Sequence, residues 1–421
     1  MNAAQSVAGR RRLSQAELDM IVTAHEKFVT GKQGGKRASL RFMQLSGLDL
    51  SFRNLTDADL TASILEDCRM VRTKLDRASL FGCDLRKSDM RQASLVRADL
   101  RGACLRGANL AQADLTQADF REGQIAIPHP RKGLETMRHE TRQGEVDEVN
   151  FSGATLDGSQ FEGVSAFKAD FSDCSLRGAK LSGANLKEAN LVGAILDGAD
   201  VKGANLEGAN LSGAVMAGVD TSTARTSGAS MNGVVGAVTR EALSKAEELY
   251  NRCLGNQRWC QTGGKEGRAA RLDGEDLRPL GAKLKGLRLT AMSAKGACMV
   301  GLDLSGAQLQ GANLQNADLR AANLRGADLR GAKLTGANLT KADLRQAFLS
   351  PLPLGPTRQT QANLQSARMR YAMVQTADLS EAVLDGADLR GSDFTGARVV
   401  KASFRDVDLK QVQGLDFSLP G

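Results

Sequence analysis

Every fifth residue from Leu40 to Ile125 is Leu, Met, Phe or Ile without a gap, most plainly in ASLVRADLRGACLRGANLAQADLTQADF at residues 93–120. A second tract runs from Phe151 to Met231 in a shifted phase and lapses only at Ala166, Thr221 and Thr226. A third runs from Leu284 to Leu349, lapsing at Ala294, and a fourth from Leu364 to Leu409 after the break SPLPLGPTRQTQ. Ala most often stands two residues before the apolar position, and Asp or Asn one before it, so the unit is A-(D/N)-L-x-x.

A period of five suits neither regular structure. On an α-helix, residues five apart are turned by about 500°, which scatters the Leu around the whole circumference. On a straight strand an odd spacing sends successive Leu to opposite faces. The chain must therefore turn once per pentapeptide. If each pentapeptide is one side of a closed coil, its Leu and the Ala two before it both point inward, and the x-x pair makes the corner. Coils then stack at about 4.8 Å and exchange backbone hydrogen bonds. Burying one Leu contributes roughly 1.5–3 kcal/mol, whereas ordering each residue's backbone costs about 1–2 kcal/mol. One coil does not fold alone; stability comes from stacked neighbours.

The run ANLQNADLRAANLRGADLRGAKLTGANLTKADL, residues 312–344, resembles the pentapeptide-repeat family, as does nearly all of 38–125, 149–231 and 282–410. The resemblance implies an all-β solenoid, a right-handed quadrilateral β-helix with four pentapeptides per coil. Met43, Leu48 and Arg53, where the repeat has Ala, and the stretch TSTARTSGAS at 221–230 depart from the pattern.

An open solenoid end exposes unpaired backbone and needs a cover. The segment LSQAELDMIVTAHEKFVT, residues 13–30, predicts a helix with Ser14 and Glu17 as a capping box and with Leu18, Ile21, Val22 and Phe28 near one face. Residues 238–272 repeat the module, with Thr239 as N-cap, Leu249 and Cys253 inward, and Trp259 where Phe28 stood. Phe28 and Trp259 are expected to seal the first coils. The chain thus reads as a duplication: tail and helical cap at 1–37, a first β-helix at 38–235 with an insertion at 126–149, a second short α-helical cap at 236–271, and a second β-helix at 272–421 interrupted at 350–361. The prefix Arg10-Arg11-Arg12 reads as a solvated tail, since no aromatic residue accompanies it to stack on bases.

Composition narrows the function classes. Aromatic residues are only 4% of the chain, so an aromatic-walled ligand pocket is not expected. Seven Cys without paired spacing point to free thiols in a reducing compartment, and no metal site is indicated. There is no apolar leader and no run of about 18 uncharged apolar residues. The expectation is a cytoplasmic protein without a membrane span. The net charge of +8 is concentrated: residues 1–53 carry +5 and 236–290 carry +4, against −4 for 54–235 and +3 for 291–421.

The insertion AIPHPRKGLETMRHETRQGEVDEV holds two of the three His in the chain. Pro128, His129, Arg131, Lys132 and His139, together with Trp259, are the candidate partner contacts, on a spacer or a protruding, partly helical recognition loop. His129 or His139 with Glu135 or Glu140 could form an acid–base pair, but no nucleophile motif supports chemistry. Cys68, Cys83 and Cys174 fall at the inward Ala position; Cys104 and Cys298 fall at an outward one. The leading expectation is a non-enzymatic scaffold that binds a protein partner, with no cofactor, no metal and no catalytic residue. The resemblance brings a second reading, because some members mimic duplex DNA and bind DNA gyrase or another topoisomerase; the net −4 of residues 54–235 is small for such a role. Direct nucleic-acid binding through the basic caps is the third reading. The apolar residues Leu415, Phe417 and Leu419 offer a surface for a homodimer.

Overall fold

The computed structural model describes residues 10–129 and 133–415, with the backbone alone over 125–139, and divides into two compact units, Met1–Ala237 and Val238–Gly421. Within each unit, one residue per pentapeptide forms a parallel bridge to its counterpart four pentapeptides on, as in Ser79↔Asp99↔Asp119 and Asn313↔Lys333. Four pentapeptides therefore close one coil, and the architecture is the right-handed quadrilateral β-helix that the repeat implied. Each rung is held from both sides: Leu100 N–H donates to Asp119 C=O at 2.8 Å, and Asp119 N–H donates to Ala98 C=O at 3.1 Å.

The corners follow from the x-x pair. At each, the Ala N–H returns to the carbonyl of the preceding Leu, as in Ala103 to Leu100 at 3.0 Å. The second x residue has positive φ, which is the type II turn pattern. Gly suits this conformation, yet Phe52 adopts it at φ 63° and Ala62 at φ 57°, so rung pairing outweighs the left-handed penalty of about 1–2 kcal/mol. Inside, Leu100, Leu105, Leu110 and Leu115 and the intervening Ala103, Ala108 and Ala113 are all buried. The lapse at Ala166 is compensated in volume by the neighbouring inward Phe: Phe161 stacks on Phe120 of the preceding coil at 4.3 Å, and Phe151 stacks on Phe171 of the following coil at 5.0 Å.

The insertion is a β-hairpin and contains no helix among its described residues. Strand β1 (Gly123–His129) pairs antiparallel with β2 (Gly133–Arg142). Its limits also differ from 126–149. In an unbroken register Cys104 would pair with Gln124; it pairs instead with Glu145, and the coil resumes before Val146, which is inward. The added chain is one residue longer than a full coil, and that odd residue shifts the phase of the second tract. Ile125 keeps the five-residue spacing but belongs to β1. In the second unit, Leu352–Pro353 (β3) pairs with Gln359–Thr360 (β4). There Lys333 pairs with Asn363 where an unbroken register would give Pro353; the added chain is two whole pentapeptides long, so the phase is unchanged.

The caps are helices α1 (Gln15–Val29), with the Ser14–Glu17 capping box in place, and α2 (Arg240–Gln261), capped by Thr239. Phe28 does not seal the coil: it is 46% exposed, and Trp259 is half-buried. The sealing residue of α1 is His25, which is fully buried. Thr56 C=O can only accept and Ala38 N–H can only donate. His25 Nε2–H therefore donates to Thr56 at 2.9 Å and its Nδ1 accepts from Ala38 at 3.0 Å, which fixes a neutral ring. In α2 the same work is done by Asn256, whose Nδ2 donates to Thr290 C=O at 3.1 Å and whose Oδ1 accepts from Ala270 N–H at 2.9 Å. The Gln15 side-chain amide closes the rung at Asp49 by bonding both its N–H and its C=O. Arg10–Arg12 are not a loose tail either. Arg11 C=O and Leu13 N–H pair with Gln44, Arg11 bridges Glu17 at 2.9 Å, and the Arg10 guanidinium donates to Ala62 C=O.

Burial lowers the His25 pKa, reinforced by Arg37 and opposed by the Thr56 bond, Asp57 and Glu26. Because the folded value lies below the unfolded value of about 6.5, the unfolded chain binds the extra proton first. Stability from this contact is complete above that pH and is lost as the pH falls below it, by up to about 1.4 kcal/mol per pH unit. His25→Asn, which copies Asn256, is expected to remove that part of the acid sensitivity; urea titrations between neutral and mildly acidic pH check it, and an unchanged slope would count against the assignment.

Candidate functional site

The feature that breaks the regular surface of the first unit is the hairpin, and its base is built into one face. Gly123 leaves the coil against Phe81, where a Cβ would lie 2.6 Å from the ring and push it aside. Arg142, at the end of β2, donates to Gly82 C=O at 3.1 Å. Phe81 in turn carries the Arg101 guanidinium 5.4 Å from its ring centre. Where the coil resumes, a Cβ on Gly144 would overlap the carbonyl oxygen of Phe120. A cleft of about 650 Å³ opens beside the base, lined by Arg101, Arg121, Glu122, Gln143 and Glu162. Its charges are largely matched within the fold: Arg101 bridges Asp99 at 2.9 Å, Arg121 bridges Asp119 at 2.7 Å, and Gln143 bonds Glu122 at 3.0 Å.

The sequence candidates separate on this scaffold. Pro128 stands opposite Met137, His129 opposite Gly133 and His139 opposite Ala126, so the register does not pair the two His. Glu140 faces Ile125 across the strands, not either His. Arg131 and Lys132 lie outside the described residues, as do Phe417 and Leu419 of the apolar C-terminus. Leu415 packs partly buried against the second core. Trp259 lies on the other unit's cap, beside Gly264.

The outward Asp and Asn are turn-bonding residues, with Oδ1 accepting the N–H two positions on, as from Asp114 to Thr116 at 3.0 Å. Where that next-but-one residue is Arg, the guanidinium also folds back onto the carboxylate. Asp84–Arg86, Asp99–Arg101, Asp318–Arg320, Asp328–Arg330 and Asp343–Arg345 all do so within 2.9 Å. The D-L-R string is thus a neutral unit on the face, legible in the sequence as a recurring tripeptide. Five of the thiols are not activated: burial pushes Cys68, Cys83, Cys104 and Cys253 up to about 12 and raises Cys298. Among the described residues no cluster of His, Cys, Asp or Glu could hold a metal ion, and no helix is long and apolar enough to cross a membrane.

A filled, closed solenoid carrying an anchored hairpin and end caps defines a repeat protein whose working surfaces are external. The chain belongs to the pentapeptide-repeat family: the family profile, Pentapeptide repeats, matches eight copies over residues 54–92, 93–125, 147–183, 174–213, 312–350 and 375–411, slightly more than half of the chain. No curated protein is a significant sequence match. Among solved structures, a pentapeptide repeat protein from the thylakoid lumen of Arabidopsis thaliana is 27% identical over 27% of this chain and 70% of its own, with a TM-score of 0.20. Rfr23 from the cyanobacterium Cyanothece is 28% identical over 33% of this chain and 90% of its own, with a TM-score of 0.20. QnrB1, a plasmid-mediated fluoroquinolone resistance protein, is 19% identical over 51% of this chain and 97% of its own, with a TM-score of 0.25. Scores this low align only part of the path; the fold assignment rests on the rung register and the family match.

Proposed function

We propose that the protein is a non-catalytic scaffold that binds a partner protein, with the hairpin and its base as the contact. The observation that carries this reading is the rigid seating of the hairpin. Gly123, Arg142 and Gly144 fix its root on a body whose interior is filled by buried Leu and Ala. Membership of a family that is typically structural or interacting supports it. A cytoplasmic setting accords with seven free cysteines, three of them inward at the Ala position.

The DNA-mimic reading requires a continuous negative face. Over residues 84–121 Asp84, Asp89, Asp99 and Asp119 are each paired with the Arg two positions on, so repulsion along that part of the first unit is cancelled locally, and the expected outcome of a gyrase supercoiling assay is no effect. The basic prefix is engaged in the first rung and the capping box, which removes it as a free nucleic-acid arm.

Affinity capture from extracts of the native host tests the proposal. The full chain should retain a stoichiometric protein partner, the hairpin-deleted chain should lose it, and His129→Ala with His139→Ala, at two of the candidate contacts, should weaken its retention. A turnover activity abolished by that double alanine variant, without any retained partner, would overturn the reading.

A further inference from the structure

The duplicated cap module carries a backbone bond between helix and exit chain in the first unit that the second unit lacks. In the first, Lys36 N–H donates to Ala24 C=O at 3.0 Å, and a Cβ on Gly35 would overlap the backbone of Phe28, so the chain leaving α1 lies bonded along the helix. The corresponding residues of the second unit are Arg268 and Gly255, which form no such bond. The chain touches α2 at Gly267, where a Cβ would overlap the carbonyl oxygen of Gly255. Even so, the peptide groups of Gly267, Arg268 and Ala269 have no hydrogen-bond partner among the described residues. Between this stretch and the α2 face carrying Glu248, Asn251 and Arg252 runs a groove of about 1080 Å³.

The groove is electropositive by construction. Its one carboxylate, Glu248, is neutralised by Arg252 at 2.5 Å, and Arg252 also donates to Arg271 C=O at 3.1 Å. Arg268 and Arg271 form no ion pair among the described residues. Two guanidinium groups therefore flank a row of unpaired peptide groups, beside a helix that forms the opposite wall. Extended peptides bind such edges by adding main-chain hydrogen bonds, and guanidinium groups select carboxylates through two-pronged bonds.

We propose that this groove docks an extended acidic segment of a partner protein. Its backbone pairs with Gly267–Ala269 and its carboxylates meet Arg268 and Arg271. The inference rests on the scaffold reading and adds to it a second contact with a defined ligand chemistry. The lining carries no aromatic side chain, so single-stranded nucleic acid, which binds by stacking as well as charge, is the disfavoured occupant.

The test uses the full chain and a short fluorescein-labelled peptide of alternating Glu and Leu, followed by anisotropy at low and high salt. A Lys–Leu peptide and an oligothymidylate serve as controls. The Glu–Leu peptide is expected to bind saturably, to weaken in salt, and to lose about tenfold or more in affinity in the R268E/R271E variant. Both side chains are surface groups, and circular dichroism confirms the fold; should the charge reversal misfold, R268Q/R271Q gives the same readout with a smaller loss. Absence of Glu–Leu binding, equal affinity in the variant, or tighter binding of the oligothymidylate overturns the proposal. The scaffold reading is judged separately by capture with the hairpin-deleted chain, so a partner retained by R268E/R271E while the peptide fails removes the groove alone.

Discussion

Excising Glu122–Arg142 is expected to leave a folded first unit, whereas excising one residue fewer, Glu122–Thr141, is expected to destroy the ladder downstream of the cut. The first deletion joins Arg121 to Gln143 and delivers Gly144, Glu145 and Val146 to the Ala, Asp and Leu slots of the next pentapeptide. The pairing of Cys104 with Glu145, which already exists, becomes an ordinary step of four pentapeptides. The shorter deletion places Glu145, Asn150, Thr155 and Gln160 in the inward slots now held by Val146, Phe151, Leu156 and Phe161. Each polar group buried without a partner costs about 1–3 kcal/mol, and a buried charge more. Several together exceed the roughly 5–15 kcal/mol by which a domain is stable. Urea unfolding followed by circular dichroism distinguishes the two. Similar cooperative transitions for both deletions would show that the phase of the repeat does not control the fold.

The second large effect is local. Leu110 is fully buried between coils, and Leu110→Ala is expected to cost about 2–5 kcal/mol, because neighbouring rungs are fixed by their hydrogen bonds and close poorly over the cavity. Ala111, one residue away on the corner, is only partly buried, and Ala111→Leu is expected to change stability by about 0.5 kcal/mol or less. Denaturant midpoints of the two variants give the comparison; equal losses would contradict the inward assignment of every fifth residue.

The coil was legible because one physical requirement, a buried Leu on every side of a closed turn, is written into each pentapeptide. The hairpin was legible only as a break. Ile125 continues the apolar spacing by coincidence, and nothing local marks Val146 as the point of return, since Cys104, the rung partner of the adjacent Glu145, lies before the insertion. The seal on the cap was misread for a related reason. Phe28 has the apolar surface that pattern reasoning favours, whereas His25 is buried because its two ring nitrogens meet backbone groups far along the chain, at Ala38 and Thr56. The signal was present in the duplication, where His25 aligns with Asn256. Both can donate with one atom and accept with another, and no other pair in the aligned helices shares that property at a buried position. The Arg10–Arg12 prefix was misjudged because its role is set by main-chain pairing with Gln44, which side-chain chemistry does not announce.

The backbone advances one rung for every four pentapeptides, and an engineered crosslink measures that advance. Asp84 pairs directly with Cys104 in the adjacent coil. Neighbouring strands lie about 4.8 Å apart, inside the roughly 4.4–6.8 Å range of Cα separations that a disulfide spans. Mild oxidation of the Asp84→Cys variant, followed by peptide mapping, should yield a bond between position 84 and Cys104, while Asp89→Cys, on the next side of the coil, should yield none. A bond from position 89 with none from position 84 would contradict the four-sided coil.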